Sequence, residues 1–466
     1  MAETPRGTLE RLYGKLQKRK ARVKTWSDYY NGDHPLKFAS PEFSSQSSGI
    51  FDGFSDNWTQ VIPDATVERM VPMAFRLEDG TLDEDAWKAW RRNECDVEVS
   101  LAFLEALITG RSFALVWKPN GVETEITFQD ASSAIVDFKP GTRRERAAGM
   151  TVWIDGDQER AALFFPDTVH WFTRDANQSG SAAEWRETDT MPNPLKVVPL
   201  VPLENRARLH GKPVSEIANV IPKQDAVNTL WAHLMTASDQ LALPARAVLG
   251  MDRPTKEILD AEGEVIGEED LPIDRFRSDR LLWLEREGAS IAEFSAADLT
   301  NYTNVIAVAV QHIAAQTRTP PSYLTGEMVN ISADALIASE AGLVSKVQER
   351  QRFFGAALRE VMRLEALASG DPDRAEALRL GSVVWRDAQF RSEAQYADAL
   401  TKYKAISVPD EALWERIPGV QPDEVERWKS MRTDQAAAIV GGNLAALVGP
   451  KPDLEPVEDE GAEAPQ

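Results

Sequence analysis

The amino-acid sequence predicts an α+β protein that is mainly helical and contains an antiparallel β-sheet. Three observations lead to this prediction. Apolar residues recur with the helical period before residue 110 and again after residue 213. Between these regions, short β-branched or aromatic runs are separated by turns that contain Gly, Asn or Asp. The length of 466 residues is sufficient for about three domain-sized units with large cores.

The first 110 residues are predicted to form four helices. In the first helix, Leu9, Leu12 and Leu16 lie at helical spacing and many cations follow. Asn31 and Gly32 favour a turn after it, and a loop rich in Ser, Gly and Phe follows. The predicted helices span residues 7–30, 57–71, 83–92 and 96–109, and Pro63 must bend the second or lie in its first turn.

The central part is predicted to change from strands back to long helices. The predicted strands span residues 112–117, 125–128, 134–138, 150–154, 160–165 and 168–174, and residues 196–203 are extended. A helix is predicted over 214–243 and another from Asp298, as its N-cap, to the bend at 317–321. Between these helices, residues 246–249 and 281–284 are predicted to be short strands around an acidic, glycine-rich stretch.

The last third is predicted to begin with a helix of unusual length, over residues 332–367, and to end in disorder. A stop at Gly370–Asp373, a strand over 383–385 and helices over 391–405 and 422–440 follow that helix. Residues 449–466 contain six acids, one Lys and no aromatic residue, so we expect them to be disordered.

The charge balance restricts the partners. The chain has 74 acidic and 52 basic residues and a formal charge of -22, which repels phosphate and argues against tight, sequence-independent DNA binding. Cys95 is the only cysteine and the charged start resembles no secretion signal, so we expect a reducing cytoplasm. The most apolar segment, 305–315, is too short to cross a membrane.

No catalytic residue, metal site or cofactor is predicted. The sequence contains neither a phosphate-binding G-x-x-x-x-G-K-[ST] loop nor a G-x-S-x-G motif, and its five histidines are not at metal-ligand spacing. Asp52, Asp56 and Asp64 could form a carboxylate metal site, but capping and surface roles are favoured. A structural Cys95 is favoured over a nucleophile, and a packed or interfacial His312 over a ligand.

Several segments, in this order along the chain, resemble the portal proteins of tailed phages of the SPP1-like type. They are 29–39 (YYNGDHPLKFA), 54–58 (FSDNW), 61–71, 221–228 (IPKQDAVN), 316–324 (QTRTPPSYL), and 385–387 with 391–399 (WRD and RSEAQYADA). The resemblance covers about residues 8–440. It implies a structural, non-enzymatic protein with the portal fold: long stem and spine helices, an antiparallel β wing sheet and a small α/β clip.

The resemblance also implies a division of the chain. The wing would span residues 1–212. The two stem helices would span 213–243 and 298–316, and the clip would span 244–297 between them. Residues 317–385 would form the tunnel loop, the spine helix and the rest of the wing, residues 386–448 would form the crown, and residues 449–466 would form the disordered tail. The tunnel loop implies DNA-channel positions at Arg318, Thr325, Glu327 and Asn330.

The implied function is a homododecameric ring at one capsid vertex of the virion, assembled in the host cytoplasm, through which the genome is packaged and ejected. Its implied partners are the major capsid protein and scaffold, the terminase large subunit, the head–tail connector or adaptor protein, and double-stranded DNA, with no membrane. Two alternatives remain at this point: a minor capsid or head–tail adaptor protein, and a metal-dependent virion-assembly hydrolase.

The second stem helix is where subunits are expected to meet. Residues 305–310 are apolar nearly all round, as expected for helices packed side by side in a ring or for a buried helix in a monomer. The predicted ring contacts are Val305, Val308, Val310 and Trp231. Lys223, Arg318 and Lys346 could contact phosphate transiently or could be solvated surface cations.

Overall fold

The computed structural model describes residues 3–38, 51, 54–118, 123–177, 184–206, 212–242, 246–249, 255–259, 263–270, 281–284, 290–293, 299–326, 333–389, 393–417, 420 and 422–448. Helices and antiparallel sheets make up most of the described residues, so the α+β prediction is confirmed. The predicted disorder of 449–466 concerns residues outside this description.

Four helices begin the fold: α1 (Pro5–Asn31), α2 (Trp58–Val67), α3 (Glu84–Arg92) and α4 (Cys95–Thr109). Thr4 caps α1, and Gly32, at φ +77°, ends it in the left-handed conformation that glycine adopts readily. Pro63 lies in the interior of α2. The prediction that α2 continues to residue 71 is wrong, because the chain turns at Glu68 and begins strand β1 (Pro72–Arg76).

The predicted strands form two antiparallel sheets rather than one. In the first, β2 (Arg111–Trp117) lies between β3 (Glu125–Gln129) and β9 (Leu200–Glu204). The second is a five-stranded meander: β4 (Ala134–Phe138), β5 (Arg146–Asp155), β6 (Gln158–Phe164), β7 (Thr168–Asp175) and β8 (Arg186–Pro192). An added Cβ at Gly149 would lie 2.8 Å from Val198 Cγ1, so glycine permits the close approach of β5 to the segment before β9.

The next helix, α5 (Ile221–Ala242), begins seven residues later than predicted. The preceding backbone instead bonds to the rest of the fold: the amide of Val214 donates to Asn205 O, and that of Glu216 donates to Leu107 O. Pro222 lies in the first turn of α5, where its missing N–H has no cost.

After α5, strand β10 (Arg246–Leu249) pairs in parallel with β13 (Leu281–Leu284) and antiparallel with β14 (Ser290–Glu293). The hairpin of β11 (Thr255–Leu259) and β12 (Val265–Asp270) was not predicted. Two helices follow: α6 (Thr300–Thr317), whose predicted cap Asp298 is outside the described residues, and α7 (Pro321–Thr325).

The longest helix, α8 (Ala333–Ser369), has 37 residues and ends at Gly370, close to the prediction. The predicted stop after it also starts a helix, α9 (Pro372–Leu380), because Asp371 caps it and Pro372 occupies its first position. Strand β15 (Ser382–Trp385) then pairs with β1. The last elements are α10 (Glu393–Ala405), α11 (Asp410–Trp414) and α12 (Pro422–Val448).

The largest core surrounds α8. Its buried face packs with α3, α4, β2 and β9 through residues that include Val347, Phe354, Leu358, Trp90 and Phe103. A second core joins α1 and α2 to α5 and α6, and a third joins α1 to the five-stranded sheet. Helix α1 therefore connects the sheet to the paired helices α5 and α6.

Candidate functional site

The candidate site is the place where the paired helices α5 and α6 join the rest of the chain. The two helices contact each other, and Lys223 Nζ donates to Gln316 Oε1 at 2.9 Å across the pair. Val227 of α5 and Ile306, Val310 and Ile313 of α6 are buried in one core with residues of α1 and α2. The start of α5 and the end of α6 are therefore fixed together.

One face of α5 binds the loop that precedes α2. Gln224 Oε1 accepts from the amide of Trp58 at 3.1 Å, and Asn228 Oδ1 accepts from the amide of Asp56 at 3.1 Å. Trp231 Nε1 donates to Asp56 Oδ2 at 3.0 Å. Gln224, Asn228 and Trp231 share a face because they are spaced by four and three residues. Two of the segments that carry the family resemblance, 54–58 and 221–228, thus meet here.

A third such segment, 29–39, reaches the neighbouring Asp225. The hydroxyl of Tyr29 donates to Asp225 Oδ1 at 2.6 Å, and the Lys37 ammonium lies 3.7 Å from Asp225 Oδ2. His34 stacks on the Tyr29 ring at 4.2 Å. Burial and the Asp225 carboxylate raise the pKa of Tyr29, so its hydroxyl remains a donor near neutral pH. The arrangement satisfies a buried carboxylate and thereby fixes α5.

A group of charged residues, which we call the ion cluster, joins the segment before α5 to α8 and to the end of α6. Its buried part is Glu216, Lys346 and Arg350: Glu216 Oε1 accepts from Arg350 Nη2 at 2.6 Å, and Lys346 Nζ lies 3.6 Å from Glu216 Oε2. Its exposed part is Glu349 and Arg318: Glu349 Oε2 lies 3.1 Å from Arg350 Nη1 and 2.8 Å from Arg318 Nη2. Arg318 ends α6 at φ +55°.

Two buried cations share the single carboxylate of Glu216. Burial alone would raise the pKa of Glu216, but Lys346, Arg350 and the Asn205 amide hold it at about 2. Burial lowers the pKa of Lys346 to about 8, because Glu216 compensates its charge only in part. Lys346 Nζ also has no hydrogen-bond partner among the described residues. Lys346 is therefore the less well compensated of the two buried cations.

Replacing Lys346 by Met should raise the free energy of unfolding at pH 7 by about 1–2 kcal/mol, because Arg350 still neutralises Glu216 and a buried charge that is compensated only in part is removed. The pKa of Lys346 is lower in the folded chain than in the unfolded chain, so its penalty is complete below pH 8 and disappears as the pH rises toward 10.5. Denaturant unfolding at pH 7 and pH 10 measures this difference. A gain that did not shrink with pH would contradict the assignment.

The predicted ring contacts divide into two classes. Val305 and Val308 are 53% and 50% exposed, and they lie on the side of α6 away from its core. Val310 is 2% exposed inside the single chain, and Trp231 is held by Asp56. Of these four residues, Val305 and Val308 offer the most exposed apolar surface to a second subunit, whereas Val310 is buried and Trp231 is partly buried in the single chain. All four stay predictions as ring contacts.

The predicted channel residues follow the end of α6. Arg318 pairs with Glu349, and the Thr325 hydroxyl donates to Pro321 O at 3.1 Å. Glu327 and Asn330 lie outside the described residues. Of the cations considered for phosphate contact, Lys346 is 1% exposed, so neither a phosphate contact nor a surface position describes it.

Three of the residues considered for catalysis or metal binding, Asp56, Asp64 and Cys95, have structural roles in the single chain. Asp56 and Asp64 accept hydrogen bonds from Trp231 and Tyr30, and Asp52 is outside the description. Cys95 is buried, and burial raises the pKa of its thiol. His312 is exposed on α6, so the packed alternative is wrong for the single chain.

Across the described part of the chain, no three His, Cys, Asp or Glu side chains gather as metal ligands. No helix in the same ranges combines the length and apolar character that a membrane span needs.

Sequence reasoning missed the ion cluster. One signal was available: Lys346 and Arg350 fall on the apolar face of the long helix, beside Leu343, Val347 and Phe354. Cations at such positions indicate a buried partner, because an unpaired charge in a core is costly. Glu216 itself gives no comparable signal, because it precedes α5 in an irregular segment.

Comparisons with known proteins agree over most of the chain. A family model described as "Phage portal protein, SPP1 Gp6-like" matches residues 9–437. The portal protein of Mycobacterium phage L5 is 30% identical over 423 residues, which cover 84% of this chain and 81% of that protein. The portal protein of Mycobacterium phage D29 is 30% identical over 422 residues, with the same coverage.

Among solved structures, a chain from the virion of a native gene transfer agent particle has a TM-score of 0.44 at 14% identity. The match covers 83% of this chain and 96% of that chain. A chain from the neck of the native particle, computed with C12 symmetry, has a TM-score of 0.45 at 14% identity and covers 83% and 95%.

Proposed function

The chain belongs to the SPP1 Gp6-like family of phage portal proteins, and from this premise we propose that twelve copies form a ring at one capsid vertex of a virion. The ring is the channel for genome packaging and ejection. The observation that carries the proposal is the anchored helix pair: α5 and α6 are fixed at one end by buried polar contacts, whereas α6 exposes Val305 and Val308. Exposed apolar residues on a rigid helix suit a contact between subunits.

The proposed parts of the subunit follow the described elements. The wing is 1–212, from α1 to β9, and the stem is 213–243 with 298–316, which contain α5 and α6. The clip is 244–297, with strands β10 to β14. Residues 317–385 form the tunnel loop, α8 as the spine helix and the completion of the wing, and 386–448, with α10 to α12, form the crown.

The proposed channel surface includes Arg318, Thr325, Glu327 and Asn330, because these residues lie in or beside the segment that connects α6 to α8. Within the ion cluster, Arg318 is linked through Glu349 to the buried Arg350, which would hold the start of this segment in a constant position. The net charge of -22 per subunit favours sliding of DNA, since few phosphate contacts must be broken at each step.

The proposed partners act in succession at different surfaces. The clip docks the terminase large subunit during packaging and the head–tail connector afterwards, and the wing faces the major capsid protein and scaffold. Assembly takes place in the host cytoplasm. No observation favours the adaptor or hydrolase alternatives.

The test of the ring is the mass of the purified protein. Light scattering at micromolar concentration should give about twelve times the subunit mass of 51.7 kDa, and electron microscopy should show rings with a central opening. Free rings with one subunit more or fewer would still support a portal. A stable monomer or dimer would contradict the proposal.

A further inference from the structure

Helix α1 carries a concentration of positive charge that the proposed channel does not use. Residues 15–24 contain six cations and no acid, in a chain whose formal charge is -22. The charge of this segment is therefore opposite in sign to the net charge of the chain. A local reversal of sign on an acidic protein indicates a surface for an anionic partner.

The cations form a straight row along an exposed face. Arg11, Lys15, Lys18 and Arg22 are spaced by four, three and four residues, so they share one side of the helix over roughly 16 Å. The last three are exposed, and Arg11 is partly exposed. The opposite side is buried against the five-stranded sheet through Leu9, Leu12 and Leu16. We call this row the basic stripe.

The stripe is neutralised at one end only. Arg11 and Lys15 both contact the carboxylate of Asp137. Lys18 and Arg22 form no ion pair with a carboxylate in the ranges that the structure describes, and the Arg22 guanidinium lies over the Trp26 ring at 5.9 Å from its centre. Many other exposed cations of the protein have acidic partners; Lys88 and Arg92 on α3, for example, contact Asp85 and Glu123.

The four members of the row are all cations, and Trp26 beside Arg22 packs against the core of α1, α2, α5 and α6. This composition separates the possible partners. Protein interfaces depend on buried aromatic or aliphatic anchors, and charged rims add little to their affinity. Contacts to a phosphate backbone need only cations at regular spacing on an accessible surface. We propose that the basic stripe binds the phosphate backbone of double-stranded DNA, outside the channel. The choice of DNA as the anionic partner rests on the proposed function, whereas the position and charge of the basic stripe are independent of that function.

The experiment measures binding of the purified full-length protein to a fluorescent duplex of about 30 base pairs by anisotropy, from about 50 to about 200 mM NaCl. The Lys18→Glu/Arg22→Glu variant should bind about tenfold more weakly at the lowest salt, and its slope of log affinity against log salt should be smaller by about 2. The matched control is Lys88→Glu/Arg92→Glu, also one Lys and one Arg four residues apart on an exposed helix face. Its affinity should stay within about twofold of the unchanged protein.

The outcomes are decisive in both directions. Equal loss in the two variants would show an effect of net charge alone and would overturn the proposal, as would no loss in either. If DNA binding appeared only after deletion of residues 449–466, the acidic tail rather than DNA would be the partner of the basic stripe in the full-length protein. This result would also overturn the proposal. The mass measurement of the same samples reports ring formation separately, so failure of the ring and failure of the stripe can be told apart.

Discussion

Replacing Glu216 by Gln should lower the free energy of unfolding at pH 7 by about 3–5 kcal/mol, the largest effect we expect from a single side chain. The substitution preserves size and the contact with Asn205, but removes the carboxylate that Arg350 and Lys346 share in the described part of the chain. Lys346 would then be buried without a partner charge, and the fully buried Arg350 would keep only its contact with Glu349 at the solvent-exposed end of the cluster. The loss arises from these uncompensated charges rather than from a lost contact.

The matched control for this measurement is Glu349→Gln. Glu349 contacts two cations of the same cluster, Arg318 and Arg350, but it lies at the solvent-exposed end. Water screens such a charge, so we expect a loss below about 1 kcal/mol. Denaturant unfolding of both variants should be done at one protein concentration, because assembly would add to the apparent stability. Similar losses of stability for Glu216→Gln and Glu349→Gln would show that burial does not increase the contribution of Glu216, which would contradict this prediction.

The opposite effects expected for Glu216 and Lys346 have one cause. Two buried cations face one buried carboxylate. Removing the carboxylate leaves Lys346 unpaired and Arg350 with the solvent-exposed Glu349 as its partner, whereas removing Lys346 leaves the well-formed pair of Glu216 and Arg350. The pair of Glu216 and Arg350 thus stabilises the contact between α8 and the segment before α5, whereas Lys346 lowers the stability of the folded chain.

Local elements of this fold could be predicted from the sequence because each depends on its own residues. The period of Leu9, Leu12 and Leu16 gave α1, and Gly370 gave the end of α8. Strand pairing between distant parts of the sequence could not be predicted: β1 and β15 are about 300 residues apart, and although the sequence predicts the strand over 383–385, it does not indicate its partner. Helix α9 was missed because Asp371 and Pro372 serve both as a stop and as a start.

The candidate site could be predicted only in part, because the sequence indicates which residues share a helix face but not what packs against that face. The helical period places Gln224, Asn228 and Trp231 on one face, but only the structure shows that Asp56 and its neighbours occupy that face. The resemblance marked segments 29–39, 54–58 and 221–228 without relating them to one another. Their convergence on α5 gives a physical reason for their composition, since each supplies polar groups that the others satisfy.

The same limit applies to α6, where an apolar run did not reveal which residues face outward. Val310 is buried with Ile306 and Ile313, whereas Val305 and Val308 are about half exposed. A helix embedded in a monomer would bury all five of these residues. In the proposed ring, Val305 and Val308 are therefore the residues of α6 that would contact a second copy of the chain.

Replacing Val305 and Val308 together by Asp should abolish the ring and leave a folded single subunit. Each subunit contact would then bury two carboxylates without partners, and an unpaired buried charge costs several kcal/mol. Because a closed ring repeats one contact between all neighbours, the penalty applies at every contact. Light scattering should give the mass of one subunit, while circular dichroism and the unfolding midpoint stay close to those of the unchanged protein.

Two further variants separate assembly from folding. Val305→Thr with Val308→Thr keeps the branched side-chain shape and adds a hydroxyl group but no charge. Burying a hydroxyl costs less than burying a charge, so rings should still form, but only at a higher protein concentration. Val310→Asp places a charge in the core of the single chain and should lower the unfolding midpoint as well as assembly. Rings of normal mass from the Val305→Asp/Val308→Asp variant would contradict the assignment of this face, because no ring could tolerate that burial at every contact.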